Sequence, residues 1–244
     1  MWALSRSDCE ADFKSIKMMR YIMEKILVFG TTMFSKQMWH FLKAEPEKYE
    51  VLGFTLDKEY MTESTFCGEN IYAFEDLDKT FDMNETKILL SVGYNNMNDN
   101  RKIIYMRCKQ KDYMIASYIH PSVVNHAKKI GEGNIILDFV QLDYDCEIGN
   151  CNIIKGTSDF AHDSCIGDFN YFAGLCHICG AVKIGNQNFL GVSCLIRSLK
   201  SMGNKNLVGA TAYMDESIGD YTIVSPAKSR IVKSTEHAIA LLLE

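Results

Sequence analysis

Large apolar residues recur at every sixth position along the middle and C-terminal parts of the chain. Every position of this series is apolar: Val124, Ile130, Ile136, Leu142, Ile148, Ile154, Phe160, Ile166, Phe172, Ile178, Ile184, Leu190, Ile196, Met202, Val208 and Met214. A period of six fits neither a 3.6-residue helical repeat nor a heptad, whereas short strands joined by tight corners produce it. The pattern predicts a parallel β-helix, a prism of stacked coils with three short strands per coil and this series in its core.

A second period, of eighteen residues, is superimposed on the first. One glycine and one asparagine recur in each coil, at Gly131, Gly149, Gly167, Gly185 and Gly203 and at Asn134, Asn152, Asn170, Asn188 and Asn206. Because glycine and asparagine tolerate left-handed backbone, we expect them at tight corners that recur from coil to coil. The position two residues before each apolar residue is mostly small. Lys128 and Lys200 are exceptions, where we expect looser or outward-turned corners.

The first part of the chain instead alternates apolar runs with helical stretches. Strands are predicted at residues 25–30, 51–57, 71–73, 87–93 and 114–118, and helices at 34–44, 75–79 and 99–110. Alternating strands and helices are typical of a parallel α/β sheet, in which ligands bind at the carboxyl ends of the strands. The pattern predicts a small Rossmann-like domain, about half of a full dinucleotide-binding fold.

These patterns divide the chain into four segments. They are a leader at 1–23, a Rossmann-like domain at 24–118, a β-helix domain at 119–232 and a C-terminal helix at 233–244. The leader lacks the continuous apolar core of a signal peptide, so we expect it to be partly disordered or weakly helical. The final helix is expected to cover the open end of the prism and prevent edge pairing.

Composition and charge narrow the class of protein. The chain has 244 residues, of which 47% are hydrophobic, and a formal net charge of -5. This charge gives no reason to expect a nucleic acid partner, and the lack of a run of about eighteen apolar residues predicts no membrane span. Nine scattered cysteines indicate reduced thiols and a cytoplasmic protein. Cys176 and Cys179 form a C-x-x-C inside the repeat, where packing is favoured over a zinc or redox site.

Two features of the first domain are candidates for nucleotide binding. Gly30-Thr31-Thr32 stands where a G-x-G-x-x-G loop would be, and it keeps only the first glycine. A helix N-terminus with nearby hydroxyls can hold a phosphate, and Asp57 at the end of the second strand is placed to accept a ribose hydroxyl. The alternatives are an ordinary strand-to-helix turn and a surface-capping carboxylate.

His162 and Asp163 are the candidate catalytic residues of the repeat region. They follow the inward Phe160 at a corner, where side chains turn outward. An exposed imidazole beside a carboxylate on a rigid frame suits general-base chemistry, and the alternative is a corner histidine without a role. His177 precedes an inward residue on a flat face, and we interpret it as a surface or inter-subunit residue. No histidine or cysteine spacing and no carboxylate pair indicates a metal site.

The chain resembles the PglD/NeuD family of hexapeptide-repeat sugar acetyltransferases over residues 24–232. The resemblance rests on the strand–Gly–Thr–Thr–helix opening, on YIHPS at 118–122, on HDSCIGDF at 162–169, on CGAVKIGNQNFLGVS at 179–193 and on SPAK at 225–228. It implies a small Rossmann-like domain joined to a left-handed β-helix. It also implies a homotrimer in which the acetyl-CoA groove lies between neighbouring subunits.

The resemblance further implies roles for individual residues. His162 matches the catalytic base, and Asp163 stands where the family often has a glutamate that orients the imidazole. The positions that match the acetyl-CoA groove are Tyr171, Gly180, Gly191 and Ala210, and Tyr171 stands where many members have a second histidine near the thioester. The positions that match the nucleotide-sugar site are Gly30, Thr31, Thr32 and Asp57.

The predicted function is acetyl-CoA-dependent N-acetylation of a nucleotide-linked amino sugar, with acetyl-CoA as co-substrate and no metal. His162 would take a proton as the amine attacks the thioester directly, without a covalent enzyme intermediate. Three alternatives stay open, namely O-acetylation of a sugar such as sialic acid, transfer of another acyl group, and a non-catalytic hexapeptide scaffold. The half-size domain and the depleted glycine loop disfavour a nicotinamide-dependent oxidoreductase.

Overall fold

A computed structural model describes residues 23–229, which form two compact units. The first unit holds the chain up to Pro121 together with Gly131–Ile135, and the second holds Ser122–Ile130 and the chain from Ile136 onward. The leader predicted at 1–23, apart from Met23, lies outside the described residues, as does the C-terminal helix predicted at 233–244.

The first unit is built around a six-stranded sheet. Its strands are β1 (Glu24–Phe29), β2 (Tyr49–Leu56), β3 (Thr65–Phe66), β4 (Glu69–Ala73), β5 (Thr86–Leu90) and β6 (Met114–Ile115). Its helices are α1 (Met33–Lys43), α2 (Leu77–Thr80) and α3 (Asp99–Gln110), with 3₁₀ turns at Lys58–Tyr60 and Phe74–Asp76. The order is β3-β4-β2-β1-β5-β6, and every pairing is parallel except the edge pair of β3 with β4. The predicted parallel α/β domain is confirmed, with β3 as an addition.

Strand β1 is the centre of this sheet and the place where the chain order reverses. Ile26, Leu27 and Val28 are fully buried, as expected for a strand covered on both faces. β1 pairs with β2 on one side and with β5 on the other. In open α/β sheets, ligands bind in the crevice outside the carboxyl ends of the strands at such a switch point.

The chain from Tyr118 onward forms the predicted prism, most of which belongs to the second unit. Its strands, with β7 at the entry, are β7 (Tyr118–Ile119), β8 (Val124–Asn125), β9 (Lys129–Ile130), β10 (Ile135–Ile136), β11 (Gln141–Leu142), β12 (Glu147–Ile148), β13 (Ile153–Ile154), β14 (Asp159–Phe160), β15 (Cys165–Ile166), β16 (Tyr171–Phe172), β17 (His177–Ile178), β18 (Lys183–Ile184), β19 (Phe189–Leu190), β20 (Leu195–Ile196), β21 (Ser201–Met202), β22 (Leu207–Val208), β23 (Tyr213–Met214) and β24 (Ile223–Val224). They form three parallel sheets, with orders β24-β22-β19-β16-β13-β10-β7, β23-β20-β17-β14-β11-β8 and β21-β18-β15-β12-β9.

The core of the prism is the apolar series, with one correction at its start. From Ile136 to Met214 every member is at most 5% exposed, as the period of six predicts. Val124, however, is 49% exposed, so its prediction as a core residue is wrong, and Ile130 is only partly buried. The reason is a shift in register, because β8 pairs with β11 so that Leu142 lies opposite Asn125. The step from Asn125 to Ile130 is therefore five residues rather than six.

The corners of the prism also differ from expectation. Left-handed backbone recurs every six residues, but non-glycine residues adopt it, with φ between 52° and 64°. They are Phe139, Asp145, Cys151, Thr157, Asp163, Phe169, Leu175, Ala181, Gln187, Ser193, Leu199, Lys205 and Thr211. The recurrent glycines are needed for close approach instead. A Cβ at Gly167 would lie 2.6 Å from the carbonyl oxygen of Gly185 in the next coil.

The recurrent asparagines form a buried ladder that ties coil to coil. The backbone N–H and the Nδ2 of Asn170 donate to Asn152 Oδ1, at 2.8 and 3.1 Å. Asn170 Oδ1 in turn accepts from the N–H and Nδ2 of Asn188, at 2.8 and 2.9 Å. Asn170 Nδ2 also donates to the Gly185 carbonyl at 2.9 Å. Buried amides must be paired in this way, which explains the eighteen-residue period of asparagine better than corner geometry does.

The last coil is shorter than the others. Thr222 N–H donates to Asn206 Oδ1 at 2.6 Å and Asn204 N–H donates to Asp220 Oδ1 at 2.7 Å, across 16 residues rather than 18. Within residues 23–229, Asn206 Nδ2 is buried without a hydrogen-bond partner. The contraction therefore leaves the ladder with one unused donor at its end.

Candidate functional site

A cleft opens at the switch point of the first unit. It has a volume of about 460 Å³ and lies at the carboxyl ends of β1, β2 and β5. Gly30, Thr31, Thr32 and Asp57, the four residues predicted for nucleotide-sugar binding, all line it. Further lining residues that the sequence did not single out include Tyr60, Ser91, Asn95 and Arg107. A smaller cavity of about 220 Å³ shares Thr31, Leu56 and Tyr60 with the cleft.

Gly30 is required at the start of the loop between β1 and α1. Its φ is 113°, a value that favours glycine, and a Cβ there would lie 2.8 Å from Ser35 Oγ. Ser91 Oγ lies 2.9 Å from Ser35 Oγ and donates to the Phe29 carbonyl at 2.7 Å. These buried hydroxyls connect the ends of β1 and β5 with the first turn of α1 and hold the floor of the cleft.

Thr32 begins helix α1 with a capping box. Ser35 N–H donates to Thr32 Oγ1 at 3.3 Å, and Thr32 N–H donates to Ser35 Oγ at 3.1 Å. The Thr32 hydroxyl thus supports the helix start at the cleft, where the dipole of α1 favours negative charge. The second and third glycines of the dinucleotide loop are replaced here by side-chain hydroxyls.

Asp57 is held by Arg107 of helix α3. The guanidinium donates from Nη1 to Asp57 Oδ2 at 2.8 Å and from Nη2 to Asp57 Oδ1 at 2.6 Å. This bidentate bond raises the pKa of Arg107, whose guanidinium also lies 4.8 Å from the centre of the Phe74 ring. Both carboxylate oxygens of Asp57 are therefore engaged, which the sequence alone did not indicate. The nucleotide-sugar role of Asp57 stays a prediction.

His162 and Asp163 lie together at a corner of the prism, directly after β14. His162 Nδ1 and Asp163 Oδ2 are 2.7 Å apart, and the two side chains are 63% and 62% exposed. The hydrogen bond to Asp163 raises the pKa of the imidazole above its ordinary value. Asp163 has left-handed backbone, with φ 58°, and its N–H donates to the Tyr144 carbonyl at 3.1 Å. The corner thus fixes the carboxylate that orients the ring.

Gly180 lies against His162 in the following coil. A Cβ at Gly180 would be 2.8 Å from His162 Nε2 and 2.9 Å from Cε1. Ala181 N–H donates to the His162 carbonyl at 2.9 Å, which fixes the two coils against each other. The structure therefore brings together His162, Asp163 and Gly180, three of the residues predicted for catalysis and acetyl-CoA binding.

The other residues predicted for acetyl-CoA lie further along the prism. Tyr171 in β16 is 8% exposed, and its ring stacks on Phe189 at 5.5 Å with an interplanar angle of 7°. Gly191 lies so close to the backbone of Ala210 that any Cβ would clash with it. A glycine at position 191 is thus required by coil stacking. The role of Tyr171, Gly191 and Ala210 in acetyl-CoA binding stays a prediction.

A second histidine–carboxylate pair lies on a flat face of the prism and was missed in the sequence. His177 Nδ1 is 2.8 Å from Asp159 Oδ2, and the two residues are register partners in β17 and β14. The eighteen-residue separation could have revealed the pair, because residues eighteen apart lie side by side in neighbouring coils.

Cys176 and Cys179 do not form a metal site with other residues of the described chain. Cys176 is buried, its Sγ lies 3.5 Å from the carbonyl oxygens of Gly174 and Gly191, and the thiol of Cys194 in the next coil lowers its pKa. Within residues 23–229, no group of three or more His, Cys, Asp or Glu side chains is placed to hold a metal ion.

The helices of this part of the chain include none long and apolar enough to cross a membrane.

Solved structures share this fold. The acetyltransferase domain of PglB from Neisseria gonorrhoeae FA1090, in complex with acetyl coenzyme A, has a TM-score of 0.73 at 22% identity, over 84% of this chain and 98% of its own. A histidine variant of perosamine N-acetyltransferase from Caulobacter crescentus, in complex with CoA and GDP-perosamine, has a TM-score of 0.71 at 20% identity, over 82% and 92%. WeeI from Acinetobacter baumannii AYE has a TM-score of 0.71 at 20% identity, over 83% and 97%.

No family model and no curated protein sequence matches the chain. At identities near 20% the similarity to solved structures shows the fold, a left-handed β-helix with an N-terminal α/β domain. The predicted fold class is confirmed for the described residues, including its handedness. The predicted resemblance to hexapeptide-repeat sugar acetyltransferases is confirmed at the level of structure.

Proposed function

We propose that this protein transfers the acetyl group of acetyl-CoA to the amine of a nucleotide-linked amino sugar, with His162 as general base. The observation that carries the proposal is the bond of 2.7 Å between His162 Nδ1 and Asp163 Oδ2 on an exposed ring. The carboxylate selects the tautomer in which Nδ1 carries the proton and Nε2 can accept one. The acetyl-CoA and GDP-perosamine complexes of proteins with this fold support the same pair of substrates here.

The mechanism requires one proton transfer and no covalent enzyme intermediate. The neutral amine attacks the thioester carbonyl carbon, and a C–N bond forms while His162 Nε2 takes a proton from the nitrogen. The negative charge of Asp163 stabilises the imidazolium that results. When the C–S bond breaks, the CoA thiolate takes this proton and leaves as the free thiol, and the sugar retains an amide.

We assign the nucleotide of the acceptor to the cleft of the first unit. Gly30, Thr31 and Thr32 lie at the N-terminus of α1, where backbone dipoles favour a phosphate. Asp57 and its partner Arg107 form the polar wall near the end of β2. In this assignment residues 24–118 bind the nucleotide and residues 119–232 transfer the acyl group.

We further propose that Tyr171, Gly180, Gly191 and Ala210 line the acetyl-CoA groove of a cytoplasmic homotrimer. The contact of Gly180 with His162 Nε2 supports this placement, because it leaves no side chain between the base and the edge of the next coil. Light scattering of the purified protein tests the assembly, and a mass of three chains is the expected result. A monomeric mass would contradict it.

The first experiment measures thiol release from acetyl-CoA with a panel of acceptors, consisting of GDP-perosamine and UDP- and dTDP-linked 4-amino and 3-amino sugars. The wild type is compared with His162→Ala and with His177→Ala, the matched control from the second carboxylate-paired histidine. We expect His162→Ala to lose about 100-fold or more in kcat, as for a general base, and His177→Ala to retain activity. Turnover that survives in His162→Ala would reject the base. No turnover with any acceptor would favour O-acetylation or a scaffold.

A further inference from the structure

The edge of the prism that carries His162 also carries an exposed pair of stacked rings. The rings of His126 and Tyr144 have centroids 4.5 Å apart and an interplanar angle of 12°. Both side chains are exposed, and Tyr144 is 62% exposed. Neither ring contributes to the buried core of the prism. We call these two residues the aromatic platform.

The aromatic platform lies one coil before the candidate base. Gln141 and Leu142 are the register partners of Asp159 and Phe160, so Tyr144 occupies the position in its coil that His162 occupies in the next. The bond of 3.1 Å from Asp163 N–H to the Tyr144 carbonyl joins the two corners directly. Since neighbouring strands are about 4.8 Å apart, the corners that carry Tyr144 and His162 are neighbours along this edge of the prism.

The Tyr144 ring is covered by another ring on one face and Tyr144 is otherwise largely exposed, so a ligand can reach it. His126 stacks on the first face, and within residues 23–229 no other ring contacts Tyr144. An aromatic face is apolar and carries negative electrostatic potential, which attracts C–H groups and cations. The C–H face of a pyranose fits such a surface, and the ammonium form of an amino sugar is attracted to it before it loses its proton.

We propose that the aromatic platform binds the acceptor sugar, with the pyranose ring on Tyr144 and its amine directed to His162 Nε2. The inference rests on the proposed function and adds the site at which the sugar ring, rather than the nucleotide, is recognised. The side of His162 opposite Tyr144 supports separate binding places for the two substrates along this edge of the prism. Gly180 lies there, one coil beyond the base, and adds no side chain of its own beside Nε2, where the acetyl donor is expected.

The test separates the acceptor from the donor. Tyr144→Ala removes the ring, Tyr144→Phe keeps it, and Phe139→Ala removes another exposed aromatic from a different corner of the same coil. With each active acceptor of the panel, we expect Tyr144→Ala to raise the acceptor KM about tenfold, in the range of one aromatic stacking contact. The KM for acetyl-CoA should not change. Tyr144→Phe and Phe139→Ala should behave as the wild type.

A binding measurement keeps the proposal testable without turnover. Saturation-transfer NMR with each acceptor of the panel alone should show transfer to the sugar-ring protons in the wild type and in Tyr144→Phe, and loss of it in Tyr144→Ala. If the wild type turns over and Tyr144→Ala matches Phe139→Ala in both KM values, the platform is rejected and the proposed function stands. If no acceptor turns over, the proposed function fails. In that case the NMR measurement still tests the aromatic platform. Saturation transfer that is retained in Tyr144→Ala, or that is missing in the wild type, rejects it.

Discussion

Gly180 lies in contact with the imidazole of His162, close enough that a single added methyl group would be 2.8 Å from Nε2. The backbone of Gly180 is not in the left-handed region, so glycine is not required there for its conformation. It is required because the ring of the candidate base occupies the space that a side chain would fill. The position of the base thus depends on the lack of a side chain at Gly180 in the neighbouring coil.

Gly180→Ala should therefore impair catalysis while the prism stays folded. The new Cβ forces the imidazole to move, and a displacement of about 1 Å at a reacting group costs on the order of 100-fold in rate. Steady-state kinetics with an active acceptor measure this loss in kcat. Gly219→Ala is the matched control, because a Cβ at Gly219 meets nothing within 4 Å. Equal kcat in the two variants would show that the ring is not held by this contact.

The pH dependence of the reaction should follow the pair of His162 and Asp163. The carboxylate raises the pKa of the imidazole, and a general base works only in its unprotonated form. The wild-type kcat/KM should therefore fall as the pH drops through this raised pKa. Asp163→Asn removes the charge and should move this acidic limb to lower pH, because the pKa returns toward its ordinary value.

Profiles of kcat/KM from about pH 5 to 8 measure the shift. Asp159→Asn, which alters the carboxylate beside His177, provides the comparison and should leave the limb in place. An unmoved limb in Asp163→Asn would mean that another group controls the rate.

Arg107 should control nucleotide affinity although it is absent from every sequence motif. Without the guanidinium, the Asp57 carboxylate loses both hydrogen bonds and presents an unpaired negative charge to a diphosphate. Arg107→Met should weaken binding of GDP, UDP or dTDP by about tenfold, or roughly 1.4 kcal/mol, as measured by calorimetry. The double variant with Asp57→Asn should recover part of this affinity, because the unpaired charge is gone.

Lys79→Met serves as the control for Arg107→Met, since it breaks an exposed ion pair with Asp76 in the same unit. Exposed pairs contribute little, and nucleotide affinity should stay at the wild-type value. If Arg107→Met bound as well as Lys79→Met, the paired side chains would have no part in the nucleotide site.

The buried asparagine ladder should contribute more to the stability of the prism than hydrogen bonds of asparagine at the surface do. Asn170→Ala removes a buried amide whose neighbours Asn152, Asn188 and Gly185 then lose partners, and each unsatisfied buried group costs about 1–3 kcal/mol. Asn186→Ala removes a comparable hydrogen bond at the surface of the prism. There Asn186 Oδ1 accepts from Asp168 N–H at 2.7 Å, and water can replace it. Urea unfolding should show a much lower midpoint for Asn170→Ala than for Asn186→Ala. Equal midpoints would contradict the assignment.

The prism could be predicted because its requirement is local and repeated. An inward-facing aliphatic residue recurs every six residues, as at Ile148 and Ile154, so every coil carries the same signal for the fold. The role of the asparagines was misread because two explanations share one period. A corner residue and a ladder rung both recur every eighteen residues, and only the hydrogen bonds of Asn170 distinguish them.

Other parts of the site depend on contacts that no local pattern encodes. Arg107 meets Asp57 across 50 residues, and the meeting depends on how α3 packs against β5 and β6. Val124 fits the period and still lies outside the core, because one step of five residues shifts the register at Asn125. The pair of His177 and Asp159, by contrast, follows from the same arithmetic as the core and was within reach of the sequence.

Because the coils of a β-helix are nearly alike, the edge of each coil can pair with another coil, and the repeat by itself does not determine how many coils form. The shortened coil between Asn206 and Thr222 interrupts the eighteen-residue repeat. Its Thr222 N–H donates the last hydrogen bond of the ladder to Asn206 Oδ1, and among the residues described Asn206 Nδ2 is left without an acceptor. Two omitted residues, together with a threonine in place of the next asparagine, thus end the buried ladder at Asn206, although β24 still pairs with β22 beyond it.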